Sequence, residues 1–156
     1  MQQIYKDLLI DFPDESEIWV YSADRFISDA ELEIIKPQLF EFVTTWSTHG
    51  KPLKADFHIL DNCFLIFVTD NSFGSASGCS IDSSVRVVKK IGEEIGVNFF
   101  NRLKLLVRND RELKHISFHD LEDYSTWQVA DTAIKNLGEF RTRFFSVVEE
   151  SNLLRK

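Results

Sequence analysis

Cys63-Phe-Leu-Ile-Phe-Val68 is the longest apolar run in the chain, and it constrains the fold more than any other segment. A run of β-formers with no polar break suits a strand covered on both faces, so layers must lie on either side of it. The preceding stretch, Leu53 to Leu60, alternates instead. Ala55, Phe57 and Ile59 point one way, and Lys54, Asp56 and His58 the other, as in a half-exposed strand. Asp61-Asn62 fits a two-residue hairpin turn between the two strands, because both residues tolerate positive φ. That turn sets Asp56 opposite Phe67 and Lys54 opposite Thr69, and it carries Trp46-Ser-Thr-His49 beside the loop that follows Val68.

The remaining elements follow from periodicity. Residues 1–12 place Ile4, Leu8 and Leu9 on one face of a short helix closed by Pro13. Ile18-Trp-Val-Tyr21 reads as a second strand buried on both faces. Ser28-Asp-Ala-Glu31 is a capping box, and the helix it opens carries Leu32, Ile35, Leu39, Phe42, Val43 and Trp46, with Pro37 predicting a kink or a split. A Gly/Ser loop, Asp70 to Ser80, leads into a helix with Ile81, Val85, Val88, Ile91 and Ile95 on one face, stopped by Gly96. Leu103, Leu105 and Val107 alternate with Arg102, Lys104 and Arg108, predicting a strand with one charged face. Asn109-Asp110 then turns into a strand over 112–118, followed by a short helix over 119–124. Phe140, Phe144, Val147, Val148 and Leu154 share a C-terminal helical stripe.

This order contains βαββαβ, so the expected fold is α+β with a ferredoxin-like core. Its antiparallel sheet is extended by a fifth strand in the order 2-3-1-4-5, and terminal helices cover what the middle helices leave bare. No repeat or linker divides the sequence, which reads as a single domain over 1–156.

Composition narrows the function. Eighteen Lys+Arg against 25 Asp+Glu give a net charge of −7, which argues against nucleic acid as a partner. The apolar runs are far short of the roughly 18 residues a membrane span needs, and Leu8-Leu9-Ile10 is too short for the apolar part of a signal peptide. Two cysteines, Cys63 and Cys79, make neither a disulfide framework nor a CxxC motif, so a reducing cytoplasm is the expected location.

The most unusual local chemistry is Gly74-Ser-Ala-Ser-Gly78-Cys79-Ser80-Ile81-Asp82. A glycine-rich turn at a helix N-terminus can cradle an anion. Ser80 reads as the N-cap, leaving the amides of 81–83 outward, with Gly78, Trp46 and the hydroxyls of Ser75, Ser77, Ser83 and Ser84 nearby. Asp82 opposes a second anion. Cys79 at the helix start is a candidate nucleophile, and His49 is the histidine that the hairpin brings toward it as base. Cys63 reads as core. His115 and His119 straddle a strand end and a turn, so helical metal-ligand geometry does not apply; neither a metal nor a cofactor is expected. Arg102, Lys104, Arg108, Arg111 and Lys114 form a basic stripe that serves either an anionic partner or edge protection.

Trp19-Val-Tyr-Ser-Ala-Asp-Arg25, Trp46-Ser-Thr-His49, Ala55-Asp-Phe57 and above all Gly78-Cys-Ser-Ile-Asp82-Ser-Ser-Val85 resemble an uncharacterised family of small Bacteroidota proteins. Members often carry the automatic label "ABC transporter ATPase". The present residues do not carry that label's chemistry, because no lysine follows Gly78 as a Walker A loop requires, no acidic residue closes a Walker B strand, and no LSGGQ-like signature is present. The resemblance implies a shared fold and loop, and no activity. The expectation is therefore a cytoplasmic binding or interaction domain with a small-anion or partner site over 74–82. Its occupant would be a small molecule or a protein, and a homodimer is compatible with this reading. The alternative is a thiol enzyme, with Cys79 as nucleophile, His49 as base and the amides of 80–82 as oxyanion donors.

Overall fold

The computed structural model describes residues 5, 7–73 and 76–153. In chain order, β1 (Glu17–Ser22) leads through α1 (Asp29–Thr45) to a short ribbon, β2 (Ser47–Thr48) and β3 (Lys51–Pro52). The hairpin β4 (Ala55–Leu60) and β5 (Phe64–Thr69) comes next, followed by α2 (Gly78–Ile95). The second half holds β6 (Lys104–Arg108), β7 (Leu113–Ser117), a 3-10 helix (Phe118–Tyr124), β8 (Gln128–Ala130), α3 (Leu137–Arg143) and β9 (Phe145–Val147). The chain is α+β, and its sheets are antiparallel.

The apolar run takes the central place its composition demands. β5 is the middle strand of a sheet ordered β1-β5-β4, and all of its residues are buried. Trp19, Phe67 and Phe57 form one cross-sheet row, and Ser22, Phe64 and Leu60 form another on the opposite face. Above the first face lie α1 and α2, with Phe42 and Trp46 at 5.4 and 6.0 Å from the Phe67 ring. Under the second lies the C-terminal part of the chain, with the Phe144 ring 5.0 Å from Phe64.

Asp61 and Asn62 both adopt positive φ, 56° and 52°, and the Cys63 amide donates to the Leu60 carbonyl at 3.0 Å. The tight turn is the expected one, but the register is not. Pairing resumes at Leu60 and Phe64, so Cys63 is an extra residue; Asp56 faces Val68, and Phe57 faces Phe67. The Cys63 carbonyl accepts from the Ala23 amide at 2.9 Å instead, which prolongs the ladder with β1.

The expected five-strand order holds for its first three strands only. β1 does not pair with β6. Its outer edge meets the segment before α3, where the Ile18 amide donates to the Lys135 carbonyl at 3.1 Å. β1 is therefore an edge strand, and apart from Ile18 it is half-buried rather than covered on both faces. β6 sits in a second sheet ordered β7-β6-β8-β9. The C-terminal helical stripe is broken for the same reason. Phe145–Val147, aromatic and β-branched, pairs with β8 and leaves α3 only seven residues. Leu154 and Ile4 lie outside the described residues.

α1 is opened by the Ser28–Glu31 capping box and continues unsplit through Pro37. Pro37 stays on the exposed side, and Leu32, Ile35, Leu39 and Val43 are buried. The proline removes only one donor, so a helix held by four buried side chains survives it. Over residues 7–12 the chain is not the predicted helix. It runs in turns with Leu9 at φ 55°, held by the Arg141 guanidinium on the carbonyls of Leu8, Leu9 and Phe12. A smaller second core, Val107, Ile116, Leu121, Val129 and Val148, lies on the side of the second sheet away from the main core. Among the described residues no helix is long and apolar enough to cross a membrane.

Candidate functional site

α2 starts three residues earlier than the sequence suggests. Ser77 is the N-cap: its Oγ accepts from the Ser80 amide at 3.3 Å, and Ser80 Oγ accepts from the Ser77 amide at 2.6 Å. Ser80 is therefore a buried member of the cap rather than the cap itself. Ile81 already donates to the Ser77 carbonyl at 2.9 Å, so the amides without an acceptor among the described residues are those of Gly78 and Cys79, and not those of 81–83. A Cβ added at Gly78 would meet nothing within 4 Å, so that glycine is not required for close approach.

Trp46 is the expected site residue that the structure does bring to this turn. Its buried indole donates to the Ser80 carbonyl at 2.8 Å, and its ring packs at 5.4 Å from Trp19 and 4.9 Å from Phe42. The ribbon β2–β3 follows directly, with exposed His49 and Gly50 at its tip (φ 50° and 78°). Cys79 and Asp82 are exposed. Among the described residues, Cys79 and His49 share no hydrogen bond.

The hydroxyls are committed to the helix. Ser83 Oγ donates to the Cys79 carbonyl at 3.0 Å, and Ser84 Oγ donates to that of Ile81 at 2.7 Å while meeting Tyr21 Oη at 2.8 Å. Gly74 and Ser75 lie outside the described residues. Among the described residues, the start of α2 offers the surface the Gly78 and Cys79 amides, the Cys79 thiol and the Asp82 carboxylate.

Sequence reasoning missed a second cluster, where the two sheets meet. Cys63 Sγ lies 3.4 Å from His115 Nε2, and that nitrogen is 3.0 Å from the Ala23 carbonyl. A carbonyl carries no proton, so the contact at 3.0 Å requires Nε2–H, which leaves no lone pair there to accept the thiol proton. The arrangement resembles a catalytic dyad in composition only. Burial pushes the Cys63 thiol up to about 12, against weaker opposing hydrogen bonds from Ser22 and Ala23. Burial also lowers the His115 pKa, with the Ala23 carbonyl opposing.

Arg108 is the other surprise. It was assigned to the exposed basic stripe, yet it is 5% exposed, so Arg102 and Lys104 are not continued by it. Its Nε donates to Gln128, directly across β8, and its Nη1 donates to Tyr5 Oη. Asp61 on the β4–β5 turn feels this guanidinium; burial holds its carboxyl above the ordinary range, while Arg108 and His58 pull it down. No local sequence signal marks either cluster, because both depend on which strands pair.

A surface recess of about 610 Å³ lies at the other end of α2, lined by Lys89, Glu93, Asn98 and Phe100 over Val88 and Val97. Among the described residues, no group of three or more His, Cys, Asp or Glu could hold a metal ion. Compared with family models, with curated proteins and with solved structures, the chain matches none.

Proposed function

We propose that the chain is a cytoplasmic binding or interaction domain whose contact edge is the first turn of α2 together with the Trp46–Gly50 turn. Its ligand is a small anion or a partner's anionic group. The observation that carries this reading is the Trp46 indole on the Ser80 carbonyl. That bond fixes the ribbon against the helix start, and the Gly78 and Cys79 amides remain available beside it. The unpaired thiols of Cys63 and Cys79 support a reducing location. We read β1-α1-β4-β5-α2 as the ferredoxin-like part of the fold, with the second sheet in place of its last strand. The resemblance to the Bacteroidota family adds a shared loop to this reading.

A thiol enzyme is the weaker reading. It needs His49 both to reach Cys79 and to be oriented by a third group, and among the described residues His49 makes no hydrogen bond.

Asp82 limits the affinity, because its carboxylate competes for the same helix end. Titrating inorganic phosphate while following amide shifts tests the site. Shifts at Gly78 and Cys79 are expected in the wild type, with several-fold tighter binding in Asp82→Asn. Silence at residues 78–83 in both proteins leaves the turn a structural cap.

A further inference from the structure

A guanidinium removed from water needs a full set of acceptors or a counter-anion, because desolvating an ion is costly. Arg108 has neither. It is 5% exposed, and Nε and Nη1 are used on Gln128 and Tyr5 at 2.8 and 2.9 Å. Among the described residues, Nη2 is buried with no acceptor. The phenol adds a second donor at the same place. Tyr5 Oη accepts from Arg108, so its own proton points elsewhere, and it meets no acceptor among the described residues. The surroundings are aromatic, with the Phe145 ring centroid 3.8 Å from the guanidinium carbon and the Tyr5 ring at 5.9 Å. The titratable group that acts on both Arg108 and Tyr5 is Asp61 on the β4–β5 turn, which His58 on β4 influences in turn, and no carboxylate forms an ion pair with Arg108 among the described residues.

We propose that Arg108 Nη2 and the Tyr5 hydroxyl form a buried site for one small planar oxyanion, a carboxylate. A single negative charge balances a single guanidinium, and a dianion would cost more to strip of water. A flat group also suits a position flanked by the Phe145 and Tyr5 rings. The site lies between the two sheets and is independent of the α2 edge. Asp61 is the competing negative charge, so its removal favours the guest.

Sodium formate is the probe, titrated into the full chain at constant ionic strength with sodium chloride as balance. The unfolding midpoint is the readout, since a ligand of the native state alone raises it by mass action. The expected result is a saturable rise with formate, with half-saturation several-fold lower in Asp61→Asn and about tenfold higher in Tyr5→Phe. Arg108→Met abolishes the response; if that variant does not fold, Tyr5→Phe, which keeps the ring, carries the test. Three results overturn the site. They are a midpoint indifferent to formate (as when a water fills the place), an equal rise with chloride alone, and an undiminished response in Tyr5→Phe.

Discussion

The two cysteines show how far a residue's chemistry is set by its surroundings. Cys63 has a histidine at 3.4 Å, yet it is fully buried, its thiol is pushed up to about 12, and the histidine's near nitrogen carries a proton. Cys79 is exposed at a helix start. Iodoacetamide at pH 8 should therefore add a single group to the native protein, at Cys79, and a second at Cys63 only after denaturation. Intact mass and peptide mapping read this directly. Prompt double modification would mean that Cys63 is not sealed between the sheets. That Cys63 is core was legible from its apolar neighbours. Its pairing with His115 was not, because they lie 52 residues apart and meet only when the β6–β7 hairpin docks on the first sheet. Arg108 was misplaced for a related reason. Alternation correctly grouped it with Lys104, but β8 and the aromatic end of the chain cover that face.

Among the elements, α1 was the most legible, because a capping box is a local signal. Ser28 Oγ accepts from the Glu31 amide at 3.2 Å, and Glu31 accepts from the Ser28 amide at 2.9 Å and from both Arg25 Nη atoms at 2.8 Å. Arg25 also donates to the Ile95 carbonyl at 2.7 Å, tying the start of α1 to the end of α2. The Arg25 hydrogen bonds, followed by that of the Ser28 amide, lower the Glu31 pKa to about 2. A carboxyl depressed in the folded state stabilises it above the unfolded value, near 4.5, and that contribution drains away as the pH falls towards 2. Glu31→Gln should therefore cost stability at pH 7 and lose less than the wild type between pH 5 and pH 2, as followed by urea midpoints. An unchanged acid slope would remove Glu31 from the account. The caps also explain an error. Ser80 lies in a run that offers two serines as N-cap, and the one at 77 wins because Ser80 completes its box. The hairpin register slipped likewise, since nothing local to Asp61-Asn62 says that Cys63 will join β1 instead of β4.

At the scale of the molecule, two antiparallel sheets meet where a single one was expected. The order β1-β5-β4 was legible because an unbroken apolar strand must be central. The second sheet was not, because β8 and β9 have only three residues each and no periodicity to read. The proposed contact edge is positioned by the first sheet and its hairpin. The hairpin carries the Trp46–Gly50 turn to the start of α2, and one indole hydrogen bond fastens it there. A nitroxide attached to Cys79 tests that placement in the otherwise unmodified protein, since Cys63 is buried and does not take the label. The account predicts that the label broadens away the Trp46 indole N–H signal and the amide signals of Ser47 and Thr48. Full intensity for those three signals would contradict it.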